Sequence, residues 1–191
     1  MAEPLRALGI AGSPRKGANS ETLLAAALEG AAELGAETEL VRLNDLDYRP
    51  CQVCEGCKKA GRCVVKDDMQ AVYGKLVESR LWLLSSPIYF DGVSGQMKSF
   101  FDRLWCFIHE GNKLPGTRAG GVIVTYEDKE REDYRRVGQV LTGYLGWFGD
   151  FPAVEVLPFG KLGTTRDDAR NSPEILDAAK GLGRRLAEGL S

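Results

Sequence analysis

The chain has 191 residues, 43% of them hydrophobic, and a formal net charge of −2. That length suits one α/β domain spanning residues 1–191, large enough to bury a core without staples. The slightly negative charge, with no long basic run, gives nucleic-acid binding no electrostatic support, and no apolar stretch reaches the roughly 18 residues that would cross a bilayer.

The N-terminus lacks the charged and apolar regions of a signal peptide, so the expected location is the cytoplasm, where thiols stay reduced. Apolar runs then alternate with helical-period segments, the pattern of a parallel sheet covered by helices. Leu5–Ala11 reads as the first strand. Leu23, Leu24, Ala27, Leu28, Ala31 and Leu34 mark one face of a helix that Gly35 can stop. Thr38–Leu43 alternates as an edge strand would, and a cysteine-rich loop follows over residues 48–66.

Asp67 or Asp68 caps the next helix, with Met69, Val72, Tyr73, Leu76 and Val77 on its buried side. Leu81–Leu84 is continuously apolar, as a central strand should be. Ser94 opens a helix carrying Met97, Phe100, Phe101, Leu104, Phe107 and Ile108. Gly121–Thr125 and Ala153–Leu157 are the fourth and fifth strands, and Tyr134, Val137, Leu141, Tyr144, Leu145 and Phe148 mark the helix between them. Pro173 begins the last helix at its first position. The expectation is a flavodoxin-like three-layer sandwich, a five-stranded parallel sheet of order 2-1-3-4-5, with ligands bound beyond the strand ends between strands one and three.

Both loops at that point are chemically distinctive. Gly12–Ser20 is not a Walker loop, because Ala18 stands where lysine is required, and Gly9 and Gly12 do not make G-x-G-x-x-G. What remains is a helix N-terminus with neutral donors on Ser13, Asn19 and Ser20 and a charged one on Arg15, suited to a terminal phosphate. The plainer reading is a polar turn in which Ser20 caps the helix. Across from it, Pro87, Ile88, Tyr89, Phe90, Asp91 and Gly92 offer apolar surface, aromatic rings and backbone amides to a planar heteroaromatic ring. The plainer reading there tucks Ile88 and Phe90 into the core.

Cys51, Cys54, Cys57 and Cys63 form C-x2-C-x2-C-x5-C. The spacing is too tight for two disulfides of good geometry and suits a compact inorganic cluster. These three stretches, with Gln96–Arg103, resemble the NADPH-dependent FMN reductase superfamily, and the cysteine segment running into Met69 resembles its iron–sulfur flavoprotein branch. The resemblance implies an NAD(P)H-dependent FMN oxidoreductase, a homodimer or dimer of dimers, and a small-molecule or protein electron acceptor. FMN would take phosphate contacts from Ser13, Arg15, Asn19 and Ser20 and ring contacts from Pro87 through Gly92, with a third contact near Thr125 and Tyr126. It also implies a [4Fe–4S] cluster on the four cysteines. Zinc and an empty site are the rivals at the cysteines. A cluster-free flavin, quinone or nitro-compound reductase and a non-enzymatic electron carrier are the rivals for function.

Cys106 reads as a small buried hydrophobe, His109 as a helix-end or surface residue, and Asp102 and Arg103 as local hydrogen-bonding groups near a subunit boundary. The helix around Phe101 and Trp105 is apolar over more than one stripe, the basis for expecting a second subunit there. Residues 158–172 form a long loop, either a lid or interface arm or plain surface.

Overall fold

The computed structural model describes residues 3–109, 111–127, 132–163 and 165–190, with the backbone alone at Glu132 and Asp133. Within the expected 158–172 loop, Thr164 lies outside the described residues. Among the described residues six strands form the sheet: β1 (Arg6–Ala11), β2 (Glu37–Arg42), β3 (Leu81–Tyr89), β4 (Gly92–Val93), β5 (Leu114–Thr125) and β6 (Gly149–Phe159). The five long strands run parallel in the order β2-β1-β3-β5-β6, which is the expected 2-1-3-4-5 arrangement. The correction is the sixth strand, β4, which pairs antiparallel with the end of β3. Two residues carry too little periodicity to be read as a strand.

The helices are α1 (Asn19–Ala32), α2 (Gly56–Ala60), α3 (Met69–Glu78), α4 (Gly95–Arg103), α5 (Glu132–Phe148) and α6 (Pro173–Glu188). Alternate residues of β3 serve opposite faces of the sheet. Leu81 and Leu83 join Leu23, Leu24, Ala27, Leu182 and Leu186 on the α1/α6 side, whereas Trp82 and Leu84 join Met97, Phe100, Leu141 and Leu145 on the other. α1 and α6 approach so closely that a Cβ on Gly183 would lie 1.8 Å from the Ala27 carbonyl oxygen.

Three further expectations change. The cysteine segment is not all loop but contains α2. α4 stops at Arg103 and gives way to a 3-10 turn over Leu104–Phe107, rather than continuing to Ile108. Leu34 and Val77, placed on buried faces by periodicity, are exposed: α1 ends at Ala32, two residues before Leu34, and Val77 lies in the last turn of α3. Among the described residues no helix is long and apolar enough to cross a membrane.

Candidate functional site

The phosphate-type loop is pinned where β1 ends. The Gly12 N–H donates to the Ser85 carbonyl at 2.8 Å, and the Ser94 hydroxyl donates to the Gly12 carbonyl. Ser94 also accepts from the Met97 N–H at 3.2 Å, capping α4 as expected. One hydroxyl therefore joins the loop after β1 to the helix after the β3–β4 hairpin. No side chain fits at Gly12, because a Cβ would stand 2.9 Å from the Met97 Cβ and 3.1 Å from the Ser85 oxygen.

Beyond Gly12 the loop folds on itself: the Ser13 hydroxyl accepts from the Arg15 N–H at 3.1 Å. Ser20 is buried in the first turn of α1 but does not cap it. The cap position is Ala18, and no side chain caps that end. The first-turn N–H groups thus lack a side-chain acceptor and point along the positive end of the helix dipole. Asn19 is engaged elsewhere: its amide donates to the Thr165 carbonyl and accepts from the Ala169 N–H, both at 2.9 Å. It straps the loop that follows β6 against this helix end, a loop that starts at Gly160 rather than at Pro158 because Pro158 and Phe159 pair with Val124 and Thr125 in the sheet. Arg166 reinforces the strap by donating to the Lys16 carbonyl at 2.6 Å, and Arg15, Lys16 and Arg166 line one open recess.

Residues 87–93 form a tight hairpin. Ile88 pairs with Val93 and Tyr89 with Gly92, leaving a two-residue turn of Phe90 and Asp91, both at positive φ (51° and 59°). Type I′ turns require that conformation but favour Asn-Gly. The Phe90 ring stands fully in the open, at 106% relative exposure, so the reading that tucks it into the core is corrected. Ile88 is only partly buried. The loop after β5 completes the rim: the Tyr126 N–H donates to the Phe159 carbonyl, and the Leu162 N–H to the Tyr126 carbonyl.

These elements fit FMN. An uncapped helix end beside basic side chains suits its phosphate, and an apolar hairpin with an open aromatic ring suits its tricycle. The Ser85 hydroxyl, at the strand end that carries the loop, is buried without a hydrogen-bond partner.

The four clustered cysteines line one pocket, together with Cys106 and Arg103. Cys57 is buried, Cys51 and Cys63 half-buried and Cys54 exposed, and none of the four is in a disulfide. Val53 and Glu55 adopt left-handed conformations (φ 53° and 58°), which turn the chain around the pocket. The Cys57 sulfur lies 3.5 Å from His109 Nε2, and an Arg103 N–H donates to the Cys63 sulfur at 3.5 Å. Burial pushes the Cys63 thiol up, but hydrogen bonds from the Val65 N–H, Tyr73 and Arg103 outweigh it and hold Cys63 below an ordinary thiol. Burial pushes Cys106 up to about 12, consistent with a buried neutral thiol.

Among the described residues no group of three Cys, His, Asp or Glu is arranged to hold a metal ion. One zinc would need four donors at about 2.3 Å or less. A cuboidal cluster takes one thiolate per iron, so its ligands stand further apart. An all-sulfur set facing N–H donors suits that group in its chemistry. The pairings of Arg103 and His109 were not legible in the sequence, since they join residues 40 and 52 positions apart.

The expected two-sided apolar helix is covered over part of its second side by its own chain: Phe101 packs on Tyr144 and Phe148 of α5, and Phe107 on Tyr73. Trp105 and Trp147 remain exposed at 46% and 58% and line a groove of about 480 Å³ that reaches Cys51 and Val53.

The NADPH-dependent FMN reductase family profile matches residues 5–134. The chain is 31% identical over 188 residues to an iron–sulfur flavoprotein of Methanocaldococcus jannaschii, covering 96% of each. It is 33% identical over 184 residues to an iron–sulfur flavoprotein of Archaeoglobus fulgidus, covering 96% of this chain and 80% of that one. In fold it resembles an NAD(P)H:quinone oxidoreductase from Methanothermobacter marburgensis, with a TM-score of 0.78 at 19% identity over 96% of each chain. A flavodoxin from the domain Archaea gives a TM-score of 0.62 at 14% identity, over 97% of this chain and 98% of the other.

Proposed function

The chain belongs to the NADPH-dependent FMN reductase family, in its iron–sulfur flavoprotein branch, and on that premise we propose an FMN-dependent oxidoreductase with NAD(P)H as electron donor and a [4Fe–4S] cluster on Cys51, Cys54, Cys57 and Cys63. When bound, FMN supplies two-electron acceptance and one-electron release, and the cluster a one-electron site.

The chain's own part is binding and placement. The N–H groups at the start of α1, with Ser13, Ser20 and Arg15, would hold the phosphate, while the β3–β4 hairpin would offer Pro87–Gly92 to the ring. Asn19 contributes by fixing the neighbouring loop and keeps a second amide N–H for the ligand. The observation that carries the reading is the hydrogen-bonded junction of Gly12, Ser85 and Ser94, which locks the phosphate-type loop beside the hairpin at the sheet's switch point.

Anaerobic addition of NADPH or NADH to the purified chain, with iron and acid-labile sulfide measured on the same sample, tests it. The proposal expects the flavin band to bleach and iron and sulfide to be present in equal amounts. Bleaching without iron identifies a cluster-free reductase of flavin, quinone or nitro compounds. Iron and flavin that neither nucleotide reduces identify an electron carrier served by another donor.

The exposed Trp105 and Trp147 support an expectation of self-association. We take their groove as the contact with a second copy, giving a homodimer or dimer of dimers. Sedimentation of the wild type and of Trp147→Glu checks this. A wild type that sediments as a monomer contradicts it.

A further inference from the structure

Arg103 has no place in the phosphate or ring sites, yet it is the most deeply buried cation near the cysteines. Its side chain is 2% exposed. It reaches three separate parts of the cysteine segment. Nη1 donates to the Arg49 carbonyl at 2.9 Å, two residues before the first cysteine. Nη2 donates to the Cys63 sulfur, the last of the four. Both terminal nitrogens donate to the Asp67 carboxylate, with Nη2 to Oδ1 at 3.0 Å, at the entrance to α3. The remaining donor, Nε, is buried with no partner.

The Asp67 carboxylate in turn accepts the Met69 N–H at 3.2 Å, and the Arg103 carbonyl accepts the Tyr73 hydroxyl at 3.0 Å. A buried guanidinium is costly to desolvate and needs such partners to compensate it. A planar fork is the side chain suited to hold a carboxylate, a carbonyl and a sulfur at once.

We propose that Arg103 is the positioning residue of the cysteine pocket: it clamps both ends of the 49–67 segment so that four thiols face one cavity, and it sets a positive charge against the Cys63 sulfur. The inference rests on the cluster reading above for the second half alone. The clamp exists in the cluster-free chain.

The two halves give different signals. In Arg103→Met without metal, backbone amides of residues 50–66 exchange with solvent at least tenfold faster than in the wild type, while the sheet strands keep their protection. In the anaerobically reconstituted chain, removing the cation disfavours the more negative reduced cluster. The one-electron equilibrium falls about tenfold, which is 59 mV more negative. Asp67→Asn leaves the cation uncompensated, so its potential moves the opposite way, to a more positive value. A merely structural role would not produce shifts of opposite sign.

Unchanged exchange in Arg103→Met overturns the proposal, as do potentials that move together or not at all. If Arg103→Met does not fold, the sign of the Asp67→Asn shift decides. If the wild-type chain takes up no iron or sulfide, the cluster reading falls, and exchange in the cluster-free variants decides the clamp by itself.

Discussion

The two halves of the site are built differently. The phosphate-type loop and the hairpin grow directly from β1 and β3, and their positions are set by strand register, helix starts and one shared serine hydroxyl. The cysteine segment leaves the sheet edge after β2 and has five residues of helix, two non-glycine residues in left-handed conformations, and a clamp from a side chain far along the chain. A site seated on a sheet inherits its precision from the core. A site on an excursion depends on a few long-range side-chain bonds, so the two should fail separately.

Cys57→Ser should give the sharpest separation: complete loss of bound iron with FMN content unchanged, read by an iron assay and flavin absorbance on one sample. Loss of both cofactors would join the two regions and break the comparison. Gly12→Val attacks the other side. Its Cβ would collide with Met97 and the Ser85 carbonyl, a cost of about 1–3 kcal/mol for overpacking. Felt at the loop, that weakens FMN by about ten- to a hundredfold, measured by fluorescence titration with cluster content preserved.

Arg118→Met supplies a control for buried arginine. Arg118 is 1% exposed and donates to the carbonyls of Leu76, Val77 and Ser79 at the end of α3 and of Pro115, with no carboxylate in that set. Leaving those acceptors unpaired costs about 1–3 kcal/mol, and Tm falls by about 2–4 °C for each kcal/mol in a chain of this size. Neither cofactor should change once the protein is folded. Phe90→Ala has the smallest effect. The exposed ring contributes nothing to the core, so Tm should hold or rise, while FMN affinity drops by about three- to tenfold through lost stacking worth about 0.5–1.5 kcal/mol.

What could be read in the sequence divides along the same line. Strand order and the phosphate loop follow from local patterns: apolar runs, a strand–turn–helix passage, small donors at a helix start. The cysteine spacing was visible, and so was the aromatic stretch at Pro87–Gly92. Its turn was not, because Phe90-Asp91 lacks the Asn-Gly signal that announces a type I′ hairpin. Leu34 and Val77 obey helical period but are exposed, Leu34 beyond the end of α1 and Val77 in the last turn of α3. Asn19 reads in the sequence as a phosphate donor, and its bonds to Thr165 and Ala169, about 150 residues away, leave no local signal. Arg103 reads as a local group for the same reason, its partners lying 36 to 54 positions away. Periodicity reports which face a residue takes, and says nothing about which distant segment meets it.

The proposed chemistry needs one flavin seat between residues 13–20 and 87–92, and titration of the flavin-free chain with FMN tests it most directly. Binding should saturate at one FMN per chain with a submicromolar dissociation constant, weakened by Gly12→Val and left intact by Cys57→Ser. A chain that binds no FMN at micromolar concentration, or binds it equally well with valine at position 12, contradicts it.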